Sequence, residues 1–292
     1  MSWTAGLEHV IREGEPLSRW TWLRLGGPAE FFAEPTSVEE LSLLVRRAGE
    51  AGITIHLLGG GSNLLVHDSG AKGLTISLSA GVFSEIKVSK NSLVAGAGAK
   101  LAHVTSVAAR EGLVGFEDLC GIPGTVGGAI HGNAGSTRVD IGQWTKAVTV
   151  LNPQGELIER TGAELRFTYR ASILEGPVYL SARFELERSD PIDLTKRMQK
   201  NWIIKKASLP PSDAATACLF RDPPGATAKS LIEQSGLVRF RVGDAELSGR
   251  NANFVITGRN AKSSDVQTLI ETVRDRVRER MAVDLELALE IW

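Results

Sequence analysis

Apolar positions along the chain recur with two periods. In "SVEELSLLVRRAGE" (37–50), Val38, Leu41, Leu44 and Val45 share one helical face. Ser37 can cap that helix, and Glu39 and Glu40 favour its first turn. "ITIHLLGGGSN" (53–63) is an apolar run that ends in glycine, which predicts a buried strand feeding a tight turn. "GLTISLS" (73–79) and "SLVAGAGA" (92–99) predict two more strands, and "KLAHVTSVAAREGL" (100–113) a helix. "AVTVLNPQGELIERTG" (147–162) alternates apolar and polar residues around Asn152-Pro153-Gln154-Gly155, the pattern of a hairpin. In "SDVQTLIETVRDRVRERM" (264–281), Val266, Leu269, Ile270, Val273 and Val277 make a helical stripe with Ser264 as its cap. The arginines at 274, 276, 278 and 280 then form a solvated face of that helix.

Near residue 190 the texture changes. "ERSDPIDLTKRM" places Pro191 at a helix start, with few glycines around it. A domain boundary is expected there, followed by helix, loop, helix, short strands, helix and strand. At 292 residues the chain has room for two domains, and 42% apolar residues can build their cores. A net charge of −1 argues against nucleic acid or an anionic membrane as the main partner. Cys120 and Cys218 stand in no metal-type spacing and suit a reducing compartment. The first residues carry no apolar signal-peptide core, and no apolar run reaches membrane-spanning length, so a cytoplasmic protein is expected.

The candidate chemistry lies in glycine. "CGIPGTVGGAIHGNAG" (120–135) holds six glycines in sixteen positions. Each glycine costs extra conformational entropy on folding, so the run needs a compensating gain, such as main-chain N–H groups brought close to a large anionic ligand. A nucleotide P-loop requires a lysine that "GGGSNLL" (59–65) and "GTVGGAIHG" (124–132) both lack. "GAGAKLA" (96–102) begins like a dinucleotide fingerprint, but Leu101 stands at the third glycine. A third reading is a flavin dinucleotide held between two glycine-rich loops from separate parts of an α+β domain.

These residues resemble the bacterial UDP-N-acetylenolpyruvoylglucosamine reductases, the MurB family of flavoproteins of the vanillyl-alcohol-oxidase type. "TWLRLGGPAEF" (21–31), "GGGSNLL", "GIPGTVGG" (121–128), "GNAG" (132–135) and "YRASIL" (169–174) follow the family's order. "CLFRDPPG" (218–225), "LIEQSGL" (231–237), "RVGDAELS" (241–248) and "NANFVI" (251–256) continue it. The short path from Tyr169 to Cys218 resembles the shorter, second subclass. The resemblance implies an α+β fold: a two-lobed FAD-binding domain over 1–190 and a smaller α+β substrate domain over 191–292. It implies noncovalent FAD held by Gly59, Gly60, Gly61, Ser62, Asn63 and Leu64 in the first loop. In the second loop it implies Gly121, Ile122, Pro123, Gly124, Thr125, Gly127 and Gly128, continued by Asn133, Ala134 and Gly135. Their backbone N–H groups would meet the pyrophosphate and ring system, where side chains would block approach.

The resemblance further implies NADPH as hydride source, a UDP-sugar substrate and a monomeric enzyme. Arg170 matches the catalytic arginine, and Tyr169 and Asp222 fall at substrate-binding positions. Cys218 takes the place of the family's proton-donating serine, and a thiol is the stronger acid, with an ordinary pKa of about 8.5. The chain departs from the family at its end. In "VDLELALEIW" Ala288 falls where the family has a catalytic glutamate. Strand alternation would put Glu286, Ala288 and Glu290 on one side. Asp222 stands where the family has asparagine and would repel an anionic substrate unless protonated or paired. A family-derived flavoprotein acting on another substrate, or a flavin- or nucleotide-sugar-binding protein with little reductase activity, is the alternative.

Overall fold

The computed structural model describes residues 3–135, 139–174 and 176–292. The chain forms two compact units. The first comprises residues 1–14, 30–60 and 72–205, and the second residues 15–29, 61–71 and 206–292.

The first unit contains two cores. In one, Leu41, Leu44, Val45 and Ala48 of helix α1 (Val38–Glu50) pack with Leu74 and Ile76. The helix begins as its sequence predicts, with the Ser37 hydroxyl accepting the Glu40 N–H at 3.2 Å. The strand Ile55–Leu58 runs parallel to Ala71–Ser77 in a four-stranded sheet ordered Ile11–Pro16, Pro28–Ala33, Ala71–Ser77, Ile55–Leu58. It is only half-buried apart from Leu58, so the expected fully buried strand is a partly covered sheet edge.

The other core lies on a five-stranded antiparallel sheet ordered Leu157–Thr161, Thr145–Leu151, Val178–Glu185, Ser92–Gly96, Ile86–Ser89. Leu101, Val104 and Ala108 of helix α2 (Leu101–Arg110) and Val126, Ala129 and Ile130 of α3 (Val126–His131) join it. The expected hairpin is present, and Asn152 Oδ1 closes it by accepting the N–H groups of Gln154 and Glu156 at 3.0 and 2.8 Å. Helix α4 (Pro191–Ser208) leaves this unit at Lys205.

The second unit packs α5 (Ala228–Gln234) and α6 (Ser263–Met281) with a four-stranded antiparallel sheet ordered Thr216–Cys218, Phe254–Thr257, Ala245–Leu247, Arg241–Val242. Val266, Leu269, Ile270, Val273 and Val277 of α6 are all buried, as the stripe predicts. Its start differs from expectation. Ser264 lies inside the helix, and the capping pair is Lys262 with Asp265. Arg276, Arg278 and Arg280 are exposed and Arg274 is half-buried. Among the described residues no helix is long and apolar enough to cross a membrane.

Candidate active site

The two glycine-rich segments converge within the first unit. A Cβ on Gly60 would lie 2.6 Å from Gly124 Cα, and one on Gly59 would lie 2.8 Å from Thr125 Oγ1 and 3.9 Å from Gly128 Cα. The second loop is also fastened to 97–101. Leu101 N–H donates to Gly124 O at 3.0 Å, Val126 N–H to Ala99 O at 2.9 Å and Gly127 N–H to Ala97 O at 2.8 Å. Thr125 caps α3 through the Gly128 N–H at 3.4 Å. Ile122 is half-buried against the core, and Pro123 is exposed.

The glycines serve two purposes, and the expectation that all keep space for a ligand needs correction. Gly60 is required by the Gly124 backbone, and Gly127 by Ala97, whose Cβ would be 3.0 Å away. In the second unit Gly61 (φ +62°) lies against the Trp20 carbonyl, so any side chain there would collide with it. Gly135 packs equally tightly on Val139 and Asp140. Gly128 differs. It is exposed, and a Cβ there would meet only Thr125 Oγ1 at 3.7 Å. Together with the exposed Gly59 it leaves an uncovered patch of main chain where the loops meet. Such a patch fits a flat, phosphate-bearing group, and the protein's own packing does not explain glycine at 128. The "GAGA" glycines are also explained by packing: Cβ atoms on Gly96 and Gly98 would each sit 2.1 Å from a carbonyl oxygen, those of Phe83 and Leu78. No dinucleotide fingerprint is needed there.

Tyr169 and Arg170 form the two-residue turn between the paired strands Arg166–Thr168 and Ala171–Ile173. Arg170 is held at φ +57°, a left-handed conformation that costs a non-glycine residue about 1 kcal/mol. Asn133 holds the hairpin beside the second loop. Its Nδ2 donates to Thr168 O at 2.8 Å and its Oδ1 accepts Gly142 N–H at 3.0 Å. Ser172 Oγ donates to His131 O at 3.0 Å. Both ends of the Asn133 amide are thus engaged in building the site. Ala134 is buried, its N–H on Ala129 O at 2.8 Å. Tyr169 is exposed, with the Arg170 guanidinium 5.8 Å from its ring centre. Cys120 at the loop entrance is a buried free thiol, and burial pushes its pKa up.

In the second unit Cys218 ends its strand. Asn253 Nδ2 lies 3.5 Å from its Sγ and 2.8 Å from Phe220 O, while Asn253 Oδ1 accepts Phe220 N–H at 3.0 Å. The C-terminal segment meets the chain just past this strand, with Leu287 bridged to Phe220. Ala288 and Leu289 N–H both point to Leu219 O, at 2.9 and 3.4 Å. Successive N–H groups of a regular strand point to opposite edges, so the chain is kinked here and the expected alternation of 286, 288 and 290 does not hold. Glu286 lies 3.8 Å from Arg221 Nη1, and Glu290 Oε1 accepts the Trp292 Nε1–H at 3.0 Å. The first glycine segment continues beside this kink. Asn63 Nδ2 donates to Ala288 O, Glu290 N–H donates to Asn63 O at 3.0 Å, and buried Leu64 pairs in parallel with Glu290. Half-buried Ser62 stands between Gly61 and Asn63. Asp222 Oδ1 accepts Ala228 N–H, the first of α5, at 2.8 Å. Among the described residues no cluster of His, Cys, Asp or Glu could hold a metal ion.

Residues 29–161 match the family described as FAD binding domain, which makes the chain a flavoprotein. Residues 210–292 match the C-terminal domain of UDP-N-acetylenolpyruvoylglucosamine reductase. The chain is 41% identical over 286 residues to the reductase of that name from Rhodopirellula baltica, covering 98% of this chain and 94% of the relative. It is 38% identical to UDP-N-acetylenolpyruvoylglucosamine reductase 2 of Symbiobacterium thermophilum, covering 97% and 92%. The crystal structure of the MurB reductase from Thermus caldophilus superposes with a TM-score of 0.81 at 34% identity, over 97% of this chain and 98% of that one. The chain therefore belongs to the UDP-N-acetylenolpyruvoylglucosamine reductase family, and it is an FAD-dependent oxidoreductase of that kind.

Proposed function

We propose that this protein reduces the enolpyruvyl group of UDP-N-acetylglucosamine enolpyruvate with NADPH, giving UDP-N-acetylmuramate for peptidoglycan synthesis in the cytoplasm. The observation that carries the reading is the uncovered main chain at Gly59 and Gly128, in the same unit as Arg170. FAD, when bound, supplies hydride transfer between NADPH and the substrate's methylene carbon. It is held noncovalently: the thiol at the loop entrance, Cys120, is buried and disfavoured as a thiolate, so it is a poor tethering group.

The chain's own groups do the rest. Gly59 and Gly60 of the first loop and 121–128 of the second present main chain to the flavin, while Gly61, Ser62, Asn63 and Leu64 fix the path of the first. Asn133 holds the second loop against the Tyr169–Arg170 hairpin, and Ala134 and Gly135 fix the loop's end against Ala129 and residues 139–140. The Arg170 guanidinium stabilises negative charge that builds on the carboxylate side of the enol ether as hydride adds. The Cys218 thiol gives its proton to the neighbouring carbon. Tyr169 contributes to substrate binding, and Asp222 does so by holding the start of α5. Residues 1–190 form the FAD-binding domain and residues 191–292 the substrate-binding domain. The short path from Tyr169 to Cys218 favours the second subclass, and the enzyme is taken to act as a monomer.

One observation favours a second reading, a flavoprotein of this family with another substrate. Ala288 has no carboxylate, and those of Glu286 and Glu290 are directed to Arg221 and Trp292. NADPH oxidation that depends on the enolpyruvyl UDP sugar separates the two readings.

A further inference from the structure

Helix α4 lays a polar side chain every fourth residue along the segment that leads into the second glycine loop. Arg197 Nη2 lies 3.0 Å from Glu117 Oε1, and buried Glu117 accepts the Gly115 N–H through Oε2 at 2.6 Å. Asn201 Nδ2 donates to Asp118 Oδ1 at 2.8 Å and Glu117 O at 3.3 Å. Lys205 Nζ donates to the carbonyls of Asp118 at 2.6 Å and Cys120 at 2.8 Å. The last of these side chains adjoins the loop itself, since a Cβ on Gly121 would lie 3.5 Å from Lys205 Cδ. Burial lowers the lysine's pKa from its ordinary value, against the opposing charges of Cys120 and Asp118, and Arg170 adds only the smallest part of that shift.

A neutral donor would satisfy two carbonyls at a smaller desolvation cost than a half-buried ammonium. The ammonium is held beside Gly121 by the Asp118 and Cys120 carbonyls, where a positive charge favours a bound group that gains negative charge on reduction. We propose that Lys205 is a positioning residue of the flavin site. It fixes the Cys120 carbonyl, and so the path of the loop at Gly121, and its charge raises the reduction potential of the bound flavin. The inference rests on the flavin reading of the loop.

Three variants separate donor from charge. Lys205→Arg keeps both, Lys205→Gln keeps an N–H donor without charge, and Lys205→Met keeps neither. FAD affinity is measured by fluorescence titration of apoprotein, and the midpoint potential by spectroelectrochemistry of the FAD-loaded protein. The Met variant is expected to bind FAD at least about tenfold more weakly, and the Gln variant within about threefold of wild type. Both neutral variants should show a more negative potential, and the Arg variant a wild-type one. A purely structural lysine would alter stability and leave the potential of the bound flavin unchanged. If Lys205→Met does not fold, the Gln and Arg potentials still decide. Unchanged potentials in Gln and Arg overturn the inference. A wild-type chain that binds no FAD overturns the flavin reading and the inference with it.

Discussion

Gly60 and Gly124 meet backbone to backbone, so close that a Cβ on Gly60 would stand 2.6 Å from Gly124 Cα. Gly128, four residues along, is exposed, and a side chain there would make only an ordinary contact, with Thr125 Oγ1 at 3.7 Å. The two kinds of glycine respond to alanine in opposite ways. Gly60→Ala should destabilise the apoprotein by about 1–3 kcal/mol, as overpacking does. Gly128→Ala, inside α3, should leave the apoprotein as stable or up to about 1 kcal/mol more stable, because alanine is the better helix former. The same change should weaken FAD binding at least about tenfold, or ~1.4 kcal/mol. Urea denaturation of apoprotein and FAD titration check both halves; a Gly128→Ala protein with undiminished FAD affinity would place the flavin elsewhere.

Arg170→Lys should bind FAD normally and fail at the second half-reaction. Lysine keeps the charge but loses the planar fork that matches a carboxylate. In stopped-flow traces, flavin reduction by NADPH should be unchanged and reoxidation by substrate slowed at least about tenfold, ~1.4 kcal/mol in barrier. Equal slowing of both phases would make Arg170 a residue that shapes the flavin site.

The start of α1 supplies a pH dependence. Glu40 accepts hydrogen bonds from Thr36 N–H at 2.7 Å and Thr36 Oγ1 at 2.9 Å, and its other oxygen meets His9 Nε2 at 2.8 Å. The Thr36 backbone bond, then His9, hold its pKa at about 2 against an ordinary 4.5. A depressed carboxyl pKa contributes stability that is complete above 4.5 and is lost as pH falls through about 2. Glu40→Gln should therefore be less stable than wild type at pH 6, with the gap closing between pH 4.5 and 2. A gap independent of pH over that range would mean that the Glu40 charge does not hold the helix start.

Much of this architecture is legible in the sequence because it is local. Ser37, the α6 stripe and the Asn152 turn act over a few residues, and the structure has them where the pattern puts them. The glycine loops are also legible as motifs. What escapes is long-range. The Trp20 carbonyl that demands Gly61 is 41 positions away, and Lys205 reaches back 85 positions to Cys120. The kink at Ala288 escapes for a related reason, since strand alternation assumes a regular ladder and the Leu219 carbonyl takes two successive N–H groups. Arg170's positive φ is equally invisible, because no glycine or asparagine marks that turn.

Ala288 tests which substrate the site now serves. Ala288→Glu puts a carboxylate where the resemblance leads one to expect it, on a segment whose N–H groups bind Leu219 O next to Cys218. In a slow version of the reductase, turnover should rise by about threefold to thirtyfold, within the range of a positioned acid or base. With FAD still bound, unchanged or lower turnover in this variant would favour the second reading, a different substrate.

Reduction of an enolpyruvyl UDP sugar by this flavoprotein is read directly as NADPH oxidation at 340 nm. The FAD-loaded protein is assayed with and without UDP-N-acetylglucosamine enolpyruvate, and the product is followed by mass spectrometry. Oxidation should require the UDP sugar and yield UDP-N-acetylmuramate in equal amount. NADPH oxidation at the same rate with and without the sugar, and no such product, would rule the reductase activity out.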